Sequence, residues 1–132
     1  MNNIINGGKP PMRTGNKTHK KLDRKKLLED CDGEAAFANR CLRIYVRETQ
    51  TDLDAISAAF KKNDLARVSR LAHRIKGASA SIRAGFLKEE AARLDVLGCE
   101  GKRSEAAVCF AGLQAEFENF KKFVATLPRF PD

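Results

Sequence analysis

The stretch K-R-S-E-A-A-V-C-F-A-G-L-Q-A-E-F-E-N-F-K-K-F-V-A-T-L-P, residues 102–128, decides the fold. It sets Ala106, Phe110, Leu113, Phe117, Phe120, Val124 and Leu127 at alternating steps of four and three. An α-helix turns about 100° per residue, so that alternation lays all of them along one stripe. A strand, with its period of two, cannot produce it. Pro128 and Pro131 end the helix, because proline has no N–H to give to the preceding turn. A helix with one apolar stripe needs partner helices to cover it.

Working back along the chain, the partners are visible. Leu87, Ala91, Leu94 and Leu97 share one face of a helix that follows Gly85, and Gly98 to Gly101 reads as the loop after it. Leu65, Val68, Ala72, Ile75, Ser79 and Ile82 form a stripe on a helix capped by Asn63-Asp64. Before it, Phe37, Cys41, Ile44, Leu53, Ile56 and Phe60 mark another helix, beginning after Gly33. Thr49-Gln50-Thr51 predicts a bend there, since β-branched threonine is a weaker helix former. A short first helix, about Asp23 to Asp30, stops near Asp32-Gly33. Long amphipathic helices joined by short loops predict an all-α fold, an antiparallel up-down four-helix bundle preceded by a short N-terminal helix. Residues 21–128 form that bundle in this reading, between a flexible basic leader at 1–20 and a tail at 129–132.

Composition agrees with one such domain. The chain has 132 residues, 42% of them hydrophobic and 32% charged, with no tryptophan. That mix excludes collagen-like and wholly disordered chains. No apolar run reaches the roughly 18 residues needed to span a bilayer, and the first 20 residues lack the apolar block of a secretory signal. A cytoplasmic protein with no membrane partner is expected. The net charge of +8 is uneven: residues 1–26 hold eight Lys or Arg against one Asp, whereas the remainder holds seventeen basic and sixteen acidic residues. An evenly charged body disfavours a nucleic-acid partner. Cys31, Cys41, Cys99 and Cys109 form no C-x-x-C pair, so no zinc or redox site is indicated, and free, buried thiols are expected. A monomer is expected, because the bundle buries its stripes internally.

One segment looks chemically specialised. His73 lies one step off the apolar stripe of its helix, with Ser69, Arg70, Lys76, Gly77 and Ala80 on the same side. A mid-helix glycine costs roughly 1 kcal/mol against alanine, so Gly77 calls for a reason. Either it leaves space for another protein to reach the imidazole, or it serves tight helix packing. Cations beside the ring oppose its protonation and keep a nucleophilic nitrogen available. The same charges, Lys76 above all, suit a phosphoryl group. A lone helical histidine is usually structural, and a lone Lys76 or Arg70 is usually a solvated charge. The combination H-x-x-K-G beside the stripe is harder to dismiss.

The segment A-H-R-I-K-G-A-S-A-S-I, residues 72–82, resembles the signature of histidine-containing phosphotransfer (HPt) domains of multistep two-component phosphorelays. Ala72, His73, Ile75, Lys76, Gly77, Ala78, Ser79, Ala80 and Ile82 match the family pattern, and the similarity extends from about Leu22 to Leu127. The small residue usual ten positions after the histidine is Arg83 here, which bears on the turn into the next helix. The resemblance implies that His73 accepts a phosphoryl group from a receiver-domain aspartyl phosphate and passes it to another receiver aspartate. It implies an electrostatic role for Lys76 and room for the receiver at Gly77. The implied partners are response-regulator receiver domains and a hybrid sensor histidine kinase. The receiver would bring the Mg²⁺, so the chain needs no cofactor or metal of its own. Arg70, Arg74 and Ala80 are the candidate binding residues around His73. Leu42 and Tyr45, off the stripe assigned above, are candidate docking anchors, and Leu42→Asp should then slow transfer without unfolding the bundle.

Other readings are weaker. Gly98-Cys99-Glu100-Gly101-Lys102 has two residues between its glycines where a phosphate-binding loop needs four, so autokinase activity is rejected. A helix-turn-helix module would need a turn near Gly77, yet the apolar stripe continues through Ile75, Ser79 and Ile82. A degenerate helical scaffold without phosphoryl chemistry leaves the His-Lys-Gly constellation as coincidence.

Overall fold

The computed structural model describes residues 22–129. The leader at 1–20 lies outside them, as does the tail from 130 onward. Five helices follow in order: α1 Arg24–Asp30, α2 Ala35–Lys61, α3 Leu65–Ser81, α4 Gly85–Cys99 and α5 Arg103–Ala125. No strand occurs among the described residues. The pairs α2–α3, α3–α4, α4–α5 and α2–α5 pack together, so the four long helices close into an up-down bundle, and α1 lies against α2.

The connections are short because every helix from α1 to α4 ends in the same way. The residue after the C-cap is left-handed, Asp32 (φ 55), Asn63 (φ 55), Arg83 (φ 65) or Gly101 (φ 73). The next N–H then reaches back to the carbonyl five residues before: Gly33 to Leu28, Asp64 to Ala59, Ala84 to Ser79 and Lys102 to Leu97, all at 2.8–3.0 Å. These are Schellman closures, which satisfy the orphan carbonyls of a helix end. Asp64 also caps α3, its carboxylate accepting from Arg67 N–H, and Asp23 caps α1 through Lys26 N–H. Such caps are worth about 1 kcal/mol each.

Arg83 therefore preserves the turn expected of a smaller residue. Its backbone is left-handed, a conformation that favours glycine. Its carbonyl accepts from Asp23 N–H at 3.0 Å. Its guanidinium forks onto the Asp30 carboxylate at 2.8 and 3.1 Å. Both contacts tie α1 to the α3–α4 turn.

The stripe on α5 is buried along its length, from Ala106 through Val124. Phe117 and Phe120 present their edges to Tyr45 of α2, with ring centroids 6.4 and 5.6 Å apart. Burying a side chain of this size contributes roughly 1.5–3 kcal/mol.

In α2 the burial corrects the sequence reading. Phe37 and Ile44 are 48% and 43% exposed. The buried row is Ala38, Leu42, Tyr45, Thr49, Leu53 and Ile56, one residue out of phase with the expected stripe over its first half. Leu42 and Tyr45 are thus core residues at 1% and 4% exposure, not docking anchors. The expected interruption at Thr49-Gln50-Thr51 is absent, and α2 runs as one helix of 27 residues. Thr51 donates its hydroxyl to the Arg47 carbonyl while Thr49 packs inside, so neither competes with the helix.

Gly98 and Cys99 belong to the last turn of α4 rather than to a loop. A Cβ at Gly98 would lie 3.2 Å from Leu65 O and Ser69 N, both backbone atoms of α3. Glycine is what lets the two helices come this close. The four cysteines are free; Cys31 and Cys109 are buried as expected, Cys41 is half-buried and Cys99 is exposed. Burial pushes the Cys31 and Cys109 thiols up in pKa, which keeps them unreactive. No described helix is long and apolar enough to cross a membrane.

Candidate functional site

The site lies on the seam between α3 and α4. α3 continues without a turn through Gly77, which excludes the helix-turn-helix reading. Val68, Ala72, Ile75 and Ser79 anchor its inner face, and His73, one residue past Ala72, is carried to the surface with 68% of its side chain exposed. Its Nδ1 lies 3.1 Å from Oδ2 of Asp95 on α4. The other Asp95 oxygen accepts the Ser69 hydroxyl, one turn before His73. Asp95 and Ser69 thus form a carboxylate bracket that holds the imidazole from one side. Neither stood out as chemical in the sequence, because the partner of His73 lies 22 residues away on a different helix. Ser69 did share the His73 side of α3, which was the only available signal.

The bracket fixes the ring chemically. An ionised carboxylate only accepts, so Nδ1 carries the hydrogen in this contact. In the neutral ring Nε2 then holds the lone pair, and no hydrogen bond occupies it among the described residues.

Lys76 is half-buried on the same side, one turn further on, and forms no ion pair among the described residues. Gly77 is exposed, and a Cβ built there meets nothing within 4 Å. Tight packing therefore does not explain this glycine. Ala80 and Arg70 are also exposed, so His73 has a cation one turn away on either side, Arg70 and Lys76, and only small residues beyond Lys76 at Gly77 and Ala80.

Three expected members do not join this surface. Arg74 turns the other way and grips Asp52 of α2 through Nε and NH2 at 3.2 and 2.6 Å. Leu42 is inside the bundle. Tyr45 is inside too, its hydroxyl 2.7 Å from Ser79 Oγ, and burial pushes its pKa up to about 12. No group of His, Cys, Asp and Glu able to hold a metal ion occurs among the described residues.

Comparison with known proteins bears on this arrangement. A family model described as the Hpt domain matches residues 40–123. The crystal structure of histidine-containing phosphotransfer protein B (HptB) from Pseudomonas aeruginosa PAO1 superposes with a TM-score of 0.73 at 20% identity, covering 84% of this chain and 100% of that one. At that identity the likeness establishes the fold. A search of curated proteins found no match.

Proposed function

Since the chain belongs to the Hpt domain family and so has a histidine phosphotransfer role in phosphorelays, we propose that His73 is the residue that carries the phosphoryl group. The observation that supports this reading is the ring itself: exposed, with Nδ1 held by Asp95 and Nε2 unoccupied.

The step follows from that geometry. The Nε2 lone pair attacks the phosphorus of a receiver aspartyl phosphate. The N–P bond forms as the P–O bond to the aspartate breaks, and the carboxylate leaves with its electron pair. The hydrogen stays on Nδ1 and keeps donating to the Asp95 carboxylate throughout, and that negative charge stabilises the positive charge that develops on the ring. Lys76 lies one turn away, where its ammonium can meet the phosphoryl oxygens. Gly77 leaves the approach clear. Transfer to a second receiver is the reverse sequence, and the receiver brings the Mg²⁺.

Proteins of this family carry phosphoryl groups and work with receiver domains and kinases. In our reading this chain makes no phosphoryl group from ATP, acts as a monomer in the cytoplasm, and exchanges with response-regulator receivers and a hybrid sensor kinase. Arg70 and Ala80 belong to the docking surface, whereas Arg74 braces α3 against α2.

The test mixes the wild type and His73→Gln with phosphorylated receiver domains and Mg²⁺. Acid-labile, base-stable label on the wild type alone is the expected result. Label retained on His73→Gln, or none on a folded wild type from any receiver, overturns the assignment.

A further inference from the structure

A second surface lies across the bundle from His73. Because α2 packs on α3 and α5, and α4 on α3 and α5, the α2–α5 seam is on the opposite side of the bundle from the α3–α4 seam. Along it runs a groove of about 410 Å³, flanked by Arg40, Arg43 and Arg47 of α2 and by Lys121 and Arg129. No carboxylate lines it among the described residues. Its floor is aliphatic, with Ile44 and Val124 among the lining side chains and Ile44 43% exposed.

Arg43 gives one N–H to the Pro128 carbonyl at 3.4 Å, a neutral partner. Lys121 meets Glu118 at 3.0 Å and Gln50 at 2.9 Å. The body of the chain carries nearly equal numbers of acidic and basic residues, so this concentration is a local feature, not a reflection of overall charge.

We propose that the groove binds an acidic amphipathic helix of a partner protein. Charge and shape both select that occupant. Arg40, Arg43 and Arg47 recur at helical spacing and span about 10 Å along the axis. Carboxylates at the same three/four spacing on a docked helix would face them in register. The aliphatic floor suits the apolar edge of such a helix. A nucleic acid would find no aromatic ring among the lining residues on which to stack a base, and a phosphate backbone leaves the aliphatic floor uncovered. The chain's own leader is excluded by sign, since residues 1–20 hold Lys9, Arg13, Lys17 and Lys20 and no acid. The two surfaces lie on opposite seams, so a partner seated here leaves His73 open to a receiver. The proposal stands independently of the His73 assignment.

The experiment uses the full chain and a fluorescent helical peptide carrying glutamates on one face and leucines beside them. A scrambled peptide of the same composition, a DNA duplex and anionic vesicles are run in parallel. The variants are Arg43→Glu with Arg47→Glu, Ile44→Ser, and a leader with its four cations changed to glutamine. Ile44 and Arg47 are exposed and Arg43 is half-buried, and circular dichroism checks the fold. The expected result is preference for the amphipathic peptide, salt-sensitive binding, and a loss of about tenfold or more in the double charge reversal. Ile44→Ser should weaken the amphipathic peptide and not the scrambled one. The idea fails if no peptide binds, if DNA or vesicles bind better, or if binding survives the groove variants and disappears with the leader charges.

Discussion

Asp95 sets one carboxylate oxygen 3.1 Å from Nδ1 of His73 and the other against the Ser69 hydroxyl. The imidazole is therefore oriented by a helix other than its own. Removing the carboxylate as Asp95→Ala frees the ring to rotate and to change tautomer. Transfer should slow by about tenfold or more, because a misplaced nucleophile loses much of its orientational advantage. Nitrogen chemical shifts of the ring should report a single Nδ1–H tautomer in the wild type and a mixture in the variant. An unchanged tautomer with slowed transfer would assign Asp95 to receiver contact instead.

The two glycines flanking this seam should respond in opposite ways. At Gly77 a Cβ meets nothing within 4 Å, so Gly77→Ala should stabilise the bundle by about 0.5–1 kcal/mol. The same methyl group stands beside the path to His73 and should slow transfer. At Gly98 the Cβ would crowd Leu65 O and Ser69 N. Alanine there gains about 1 kcal/mol of helix propensity but forces two backbones apart, an overpacking that costs about 1–3 kcal/mol. Thermal unfolding of both variants checks the pair, with a higher midpoint at 77 and a lower one at 98.

Leu42 tests the corrected phase of α2. It is 1% exposed, so Leu42→Ala should cost about 2–5 kcal/mol and Leu42→Asp should abolish the folded state. Denaturant titration measures the first and circular dichroism the second. A folded Leu42→Asp with slowed transfer would restore the surface reading.

The Asp30–Arg83 fork should make the docking of α1 sensitive to acid. The Arg83 guanidinium, by hydrogen bonding and then by charge, holds the Asp30 pKa below its ordinary value. A carboxyl depressed in the folded state contributes stability above its unfolded pKa of about 3.9 and loses it as pH falls through the lower folded value. Amide exchange in α1 should therefore accelerate as the pH drops below about 4, beyond the intrinsic change for free amides. In Arg83→Gly that added acceleration should vanish, while the left-handed turn itself stays intact because glycine suits it better.

The bundle was legible because Phe110, Leu113, Phe117 and Phe120 repeat at a period only a helix can use, and because Gly33, Asp64 and Pro128 mark where helices start and stop. The H-x-x-K-G spacing of His73, Lys76 and Gly77 was equally a local matter, since residues one turn apart share a face in any helix. Local order does not settle which of two adjacent stripes turns inward. On α2 the row through Phe37, Cys41 and Ile44 looks more apolar than the row through Asn39, Leu42 and Thr49, yet the second is buried. Its polar members find partners on other chain segments, as Asn39 does at the Pro128 carbonyl and Asp52 at Arg74. The same reason hid Asp95. Whether a carboxylate touches a histidine 22 residues away depends on how closely two helices cross, and here that distance is set by the missing side chain of Gly98. Sequence periodicity determined the helices and the exposed face that bears His73. Only the packing of one helix on the next decided what holds that ring, because side chains far apart along the chain meet only when the helices have docked.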